Sequence, residues 1–117
     1  TVIIIGGHMR LNSHSTFGPI ALNTLSHFAN YKLFLGVDSF SFENGISTPN
    51  MEEAMLNQAM IAQATEVIAV FDSSKFNKRS FCHIAHCEQI NAIVTDRNLP
   101  SSTATRLKAK NIQLHLA

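Results

Sequence analysis

The feature that most limits what this chain can become is the run Val67-Ile68-Ala69-Val70-Phe71, apolar at every position and stopped at once by Asp72. A strand with one wet face alternates polar and apolar side chains. A strand apolar throughout needs cover on both faces, and helices flanking a parallel sheet supply it. Val2-Ile3-Ile4-Ile5 has the same character and halts at Gly6-Gly7. The expected fold is therefore α/β, a three-layer Rossmann-like domain built on a mostly parallel sheet.

Other segments fit that frame. After Gly6-Gly7 a polar loop through Ser15 precedes a helix over about 17–28, where Ile20, Ala21, Leu25 and Phe28 recur at helical spacing. Tyr31 to Val37 is a second apolar run, ending near Gly36, and Asn44-Gly45 marks a turn in the loop that follows. Thr48-Pro49-Asn50 ahead of Met51-Glu52-Glu53 is a helix start, with a capping side chain and acids at the positive end of the helix dipole, and that helix runs to about Thr65. Met51, Met55 and Met60 read as core fillers on it. A short strand around Phe81 to Ala85 and a clearer one at Ala92 to Thr95 follow. A helix opening at Leu99-Pro100-Ser101-Ser102 reaches about Lys110, and a strand over Ile112 to Leu116 closes the chain. Strands alternating with helices favour right-handed crossovers between parallel neighbours.

With 117 residues the chain holds one core at most. Its net charge of +1, with dispersed Lys and Arg, lacks the clustered cations that nucleic acid requires, so any DNA contact belongs to another segment. Two cysteines, and the lack of a membrane-length apolar stretch or leader pattern, give the cytoplasm as the expected setting, with no membrane partner. The strand-like run begins directly at Val2 after Thr1, without a cap or turn, so residues 1–117 read as part of a domain shortened on its N-terminal side.

In open α/β sheets, ligands bind beyond the carboxyl ends of the strands. Four places qualify: Gly6-Gly7, Gly36-Val37-Asp38, Asp72-Ser73-Ser74-Lys75 and Thr95-Asp96-Arg97. The third offers two hydroxyls, strand-end amides and one mobile ammonium, a set suited to a phosphate; a solvated turn with a surface lysine is the competing account. Gly7 would let a ligand approach the backbone, or simply make a turn. Asp38 and Glu53 would suit sugar hydroxyls, or serve as a loop acid and a helix-start acid. Cys82-His83-Ile84-Ala85-His86-Cys87 contains four metal-ligand types, but known zinc sites draw on two separated pairs, so no metal and no cofactor is assigned.

Taken in order, Ile5-Gly6-Gly7, Ser15-Thr16-Phe17-Gly18-Pro19, Phe34-Leu35-Gly36-Val37-Asp38, Asn44-Gly45-Ile46-Ser47, Glu53-Ala54, Ala59-Met60-Ile61, Asp72-Ser73-Ser74-Lys75-Phe76 and Ile93-Val94-Thr95-Asp96 resemble the C-terminal sensor domain of DeoR-family transcription regulators. The resemblance implies a fold similar to ribose-5-phosphate isomerase and glucosamine-6-phosphate deaminase. It also implies a phosphorylated sugar or related metabolite as effector, and DNA held by an N-terminal winged helix absent from this chain. The family's D-x-S-K lysine falls on Lys75 and its Gly-x-Asp element on Gly36 and Asp38. The effector-binding set expected from chemistry and resemblance together is Lys75, Asp38, Gly36, Gly7, Asp72 and Glu53, with no catalytic residue.

The family's first phosphate loop lies ahead of Val2 and is likewise missing. In the related isomerases a catalytic glutamate occupies the place where this chain has Asn57, and an amide cannot act as a base. That favours a sensor, expected to be a homo-oligomeric repressor of sugar metabolism. A sugar-phosphate isomerase or deaminase using Glu53 and Asp38 is the alternative, and an oligomerisation module without a ligand is a third reading.

Overall fold

A computed structural model describes residues 1–117. Its centre is a four-stranded parallel sheet in the order β3 (Tyr31–Gly36), β6 (Ala64–Val70), β8 (Ala92–Thr95), β9 (Gln113–Leu116). A two-stranded ribbon, β1 (His8–Met9) with β2 (Thr16–Phe17), precedes it. A small antiparallel sheet stands apart, with β5 (Gly45–Thr48) between β4 (Ser39–Ser41) and β7 (Cys82–Ala85). The helices are α1 (Gly18–Leu25), α2 (Met51–Gln63) and α3 (Ser101–Ala109). The α/β class and parallel sheet agree with the sequence, and no helix is long and apolar enough to cross a membrane.

The main strands are laid down in sequence order. Right-handed crossovers that always step the same way place their helices on one face of the sheet. Register puts Leu33, Val67 and Leu35, Ala69, Ile93 on that face. They share one core with Ala54 and Ile61 of α2 and Leu107 of α3. The opposite face has no helix of this chain over it: Phe34 is 65 % exposed and Val70 42 %, and Lys32 pairs with Glu66 there at 3.1 Å. Within residues 1–117 the third layer is thus missing.

α2 starts where its cap predicts, since the Asn50 side chain accepts from the Glu53 amide at 2.9 Å. It ends at Gln63, and β6 begins at Ala64 without a loop. α1 stops at Leu25, three residues short of the expected end, and Asn30 at φ +60° turns the chain into β3. α1 packs on α2 through Ala21, Leu25 and Leu56.

Three expectations are corrected. Val2–Ile5 is not a strand: Val2, Ile3 and Ile4 are 86 %, 63 % and 83 % exposed and pair with nothing. A strand exists only as part of a ladder, and the outer edge of β3 is unpartnered. Only Ile5 packs, beside the α1–α2 contact. The loop around Asn44-Gly45 is a hairpin, and the strand near Phe81–Ala85 joins it antiparallel instead of extending the main sheet. Met51 and Met55 are exposed on α2; of the three methionines assigned to the core, only Met60 packs against it.

Candidate functional site

β3 and β6 end side by side, with Gly36 opposite Val70. Beyond those ends a cleft of about 550 Å³ opens, walled by Gly36, Asp38, Asp72 and Lys75 from the strand ends, by Glu53, Asn57 and Met60 from α2, and by Ser13 and Ser15 from the loop after β1. Ser13, Asp38 and Glu53 also line an adjoining polar basin of about 440 Å³ that contains Arg10 and Lys78. Five of the six residues singled out in the sequence therefore share one cleft. Gly7 does not line it. Its φ of +131° and the closeness of the Phe17 carbonyl, 2.7 Å from where a Cβ would sit, make it a packing glycine under the start of α1.

The turn that presents Lys75 is built by its own polar groups. Asp72 accepts from the Ser74 amide at 2.9 Å and from the Ser74 hydroxyl, capping a single 3₁₀ turn over Ser73–Lys75. Asp96, at the end of β8, accepts from the Ser73 amide at 2.6 Å and the Ser73 hydroxyl at 2.9 Å. The Lys75 amide donates to the Asp72 carbonyl at 3.1 Å. The hydroxyls and amides of Ser73 and Ser74 and the amide of Lys75 are all committed within the protein. The side chain that remains uncommitted is Lys75, half-buried and in no ion pair. The residue after it, Phe76, is buried against Phe40 and Phe71, with ring centroids 5.2 and 4.9 Å away, so the turn has a fixed base.

These hydrogen bonds set the charges. Donation from Ser74 holds the Asp72 carboxyl below its ordinary pKa, and donation from Ser73 does the same for Asp96. Glu53 goes the other way. Burial and then repulsion from Asp38 raise its pKa, against a smaller opposing pull from Arg10, which donates to Glu53 Oε2 at 3.1 Å. Asp38 accepts from the buried Thr48 hydroxyl at 2.7 Å. The cleft thus offers an ammonium at one end and oxygen acceptors at the other.

The Cys82–Cys87 segment leaves β7 after Ala85 and enters a 3₁₀ turn at Cys87, which parts the thiols from the imidazoles. Both sulfurs are buried, Cys82 toward the Pro49 carbonyl and Cys87 toward that of Phe42, while His83 and His86 are exposed with ring centroids 4.3 Å apart. Arg10 and the anchoring role of Asp96 were missed by sequence reasoning. Arg10 lies in a loop without a motif, whereas Asp96 was visible as a strand-end residue whose partner in Ser73 no local pattern reveals.

The sequence profile described as the DeoR C terminal sensor domain matches residues 1–97. The chain belongs to that family. This DeoR sensor chain is 36 % identical over 115 residues to a putative aga operon transcriptional repressor of Escherichia coli O157:H7, covering 98 % of the chain and 43 % of the relative. It is 31 % identical to the HTH-type transcriptional regulator GlpR of Haloferax volcanii, over 95 % of the chain and 44 % of that protein. Against the HTH-type transcriptional repressor GlcR of Bacillus subtilis the identity is 32 %, over 94 % and 42 % respectively. The chain spans less than half the length of these relatives. The DeoR profile takes in the whole cleft and stops before α3 and β9.

Proposed function

We propose that this chain is the effector-binding part of a transcription regulator, a repressor, of sugar metabolism, and that the cleft receives a phosphorylated sugar or related metabolite with its phosphate on Lys75. The observation that carries this reading is Lys75 itself: an unpaired, half-buried ammonium on a braced turn at the carboxyl end of a parallel sheet. An ammonium in that position with no carboxylate at ion-pair distance is a point charge able to take an anion. Gly36, lacking a side chain, leaves the approach to the strand ends open. Glu53 and Asp38 would accept from sugar hydroxyls, while Asp72 would act by holding the turn.

In this reading residues 1–117 are part of the sensor domain. The four strands run in order without a reversal, and ligands of open α/β sheets sit where the order reverses, so the reversal belongs beyond the free edge of β3. The bare face with Phe34 and Val70, and an apolar hollow of about 340 Å³ beside β3 lined by Ile3, Ile5, Leu25, Phe28, Tyr31 and Met60, are where the rest of the domain would pack. DNA would be held by an N-terminal module of the intact cytoplasmic homo-oligomer. Effector binding would act by favouring one of two conformations of that assembly.

The test is a thermal-shift panel of sugar phosphates on the intact regulator and its Lys75→Ala variant. At least one compound should stabilise the wild type and lose its effect in the variant. Stabilisation by none, or by the same compounds equally in both, overturns the reading.

A further inference from the structure

Asn57 is the most unusual polar side chain in the cleft. It sits in the middle of α2 and is 8 % exposed. The hydrogen bonds that α2 side chains make are those of Glu53 with Arg10 and of Gln58 with the His83 carbonyl; the Asn57 amide makes none. Buried amides without a partner are uncommon, because each loses its water contacts without compensation. No fully enclosed side-chain polar atom lacks a partner, so the outlet of this amide is the cleft, and it also lines a narrower extension of about 220 Å³ beside Ser15 and Thr16. Glu53, one helical turn earlier, lines both spaces with it.

We infer that Asn57 is a specificity-determining residue that hydrogen-bonds an uncharged hydroxyl or carbonyl of the ligand, and that the ligand carries a single phosphate, held at Lys75. This rests on the function proposed above and narrows it. A primary amide offers donors and an acceptor without charge, matching a hydroxyl, which is itself both donor and acceptor. A second phosphate has no further cation to meet within the cleft itself. Lys75 is the lone cation lining the cleft, whereas Asp38, Glu53 and Asp72 are carboxylates along the same wall; in the adjoining basin Arg10 is paired with Glu53 and Lys78 is exposed to solvent. The cleft therefore selects a hydroxylated monophosphate over a bisphosphate. Asn57 chooses among monophosphates by what they place opposite its amide.

The experiment is calorimetric titration of the intact regulator with inorganic phosphate, ribose 5-phosphate, glucose 6-phosphate, fructose 6-phosphate and fructose 1,6-bisphosphate, using wild type, Lys75→Ala, Asn57→Ala and Asn57→Leu. Expected is tighter binding of at least one monophosphate than of the bisphosphate. Asn57→Ala should lower the affinity for that sugar about five- to tenfold, the loss of one neutral hydrogen bond, while inorganic phosphate changes less than about twofold. Asn57→Leu, close in volume, should unfold at the same or a higher temperature than wild type without ligand, because it removes a polar group that packing does not require. A large fall in melting temperature in Asn57→Leu, equal losses for phosphate and sugar in Asn57→Ala, or preference for the bisphosphate would each overturn the inference. Binding indifferent to Lys75→Ala, or binding of none of the five compounds, overturns the underlying function and the inference with it.

Discussion

Ser73 gives both its backbone N–H and its hydroxyl to the two carboxylate oxygens of Asp96, at 2.6 and 2.9 Å, joining the turn after β6 to the turn after β8. The pair crosses between neighbouring parallel strands at the ends where the cleft opens. Asp96 is thus a brace for the turn that carries Lys75. Replacing it with Ala should leave the sheet folded and loosen that turn, with sugar-phosphate affinity falling about tenfold through lost pre-organisation. Titration calorimetry beside a thermal melt separates the two effects, and an unchanged affinity would show that the brace is unrelated to binding.

The same bonds give acid stability a direction. Asp72 and Asp96 both have folded pKa values below the ordinary carboxylate value, so each binds its proton less tightly folded than unfolded. Their contribution is complete above the unfolded value of about 3.9 and fades as pH falls through the folded values. Melting temperature should drop steeply with acidification in the wild type, and less steeply in Asp72→Asn and Asp96→Asn variants, whose midpoints converge with wild type at low pH.

Glu53 has the opposite sign. Its raised folded pKa means that the folded state binds the proton more tightly, so its contribution is largest below the unfolded value of about 4.3 and declines as pH rises through the folded value. Glu53→Gln should therefore be at least as stable as wild type at neutral pH, with the advantage shrinking on acidification. Lower stability of the variant at neutral pH would show that the Arg10 contact outweighs burial and the repulsion from Asp38. Sugar-phosphate turnover is expected from neither protein; turnover abolished in Glu53→Gln would make this chain an enzyme.

Gly45 opens β5 at φ +69°, and a Cβ there would lie 2.0 Å from the Ala85 carbonyl oxygen of β7. Gly45→Ala combines a left-handed backbone with a clash against backbone, and should cost about 3 kcal/mol or more. Chemical denaturation would report it. A loss below about 1 kcal/mol would mean that the small sheet yields easily.

The family match ends at residue 97, yet the core continues through Leu99, Leu107 and Ile112, all buried. Leu107→Ala should destabilise by about 2–5 kcal/mol, and truncation after Arg97 should abolish cooperative unfolding. A truncated protein that melts like wild type would show that α3 and β9 are dispensable.

How much of this was legible depended on whether the signal was local. Val67–Phe71 and Ala92–Thr95 announced buried strands because their sheet neighbours lie within the chain. Val2–Ile5 carries the same pattern without a partner strand, and pairing is not a property of the run itself. The β4–β5 hairpin was hidden because Ser39, Ser41 and Ser47 are polar yet buried, with Ser39 and Ser47 satisfied by Ser80 across the fold. Lys75 was found through its ordered motif, and Asp38 and Glu53 through the strand-end rule and helix-start chemistry. The exhaustion of the serine donors, the Asp96 brace and the bare Asn57 amide became visible only in three dimensions.

The committed serines around Lys75 have one more consequence. A lone ammonium on a rotatable stem senses that negative charge has arrived but is nearly blind to the outline of what carries it. Under the proposed function, grip and discernment would be separate parts of the cleft, one on the turn after β6 and the other along α2. Substitutions on the helix would then retune which metabolite is recognised while the anchor stays as it is.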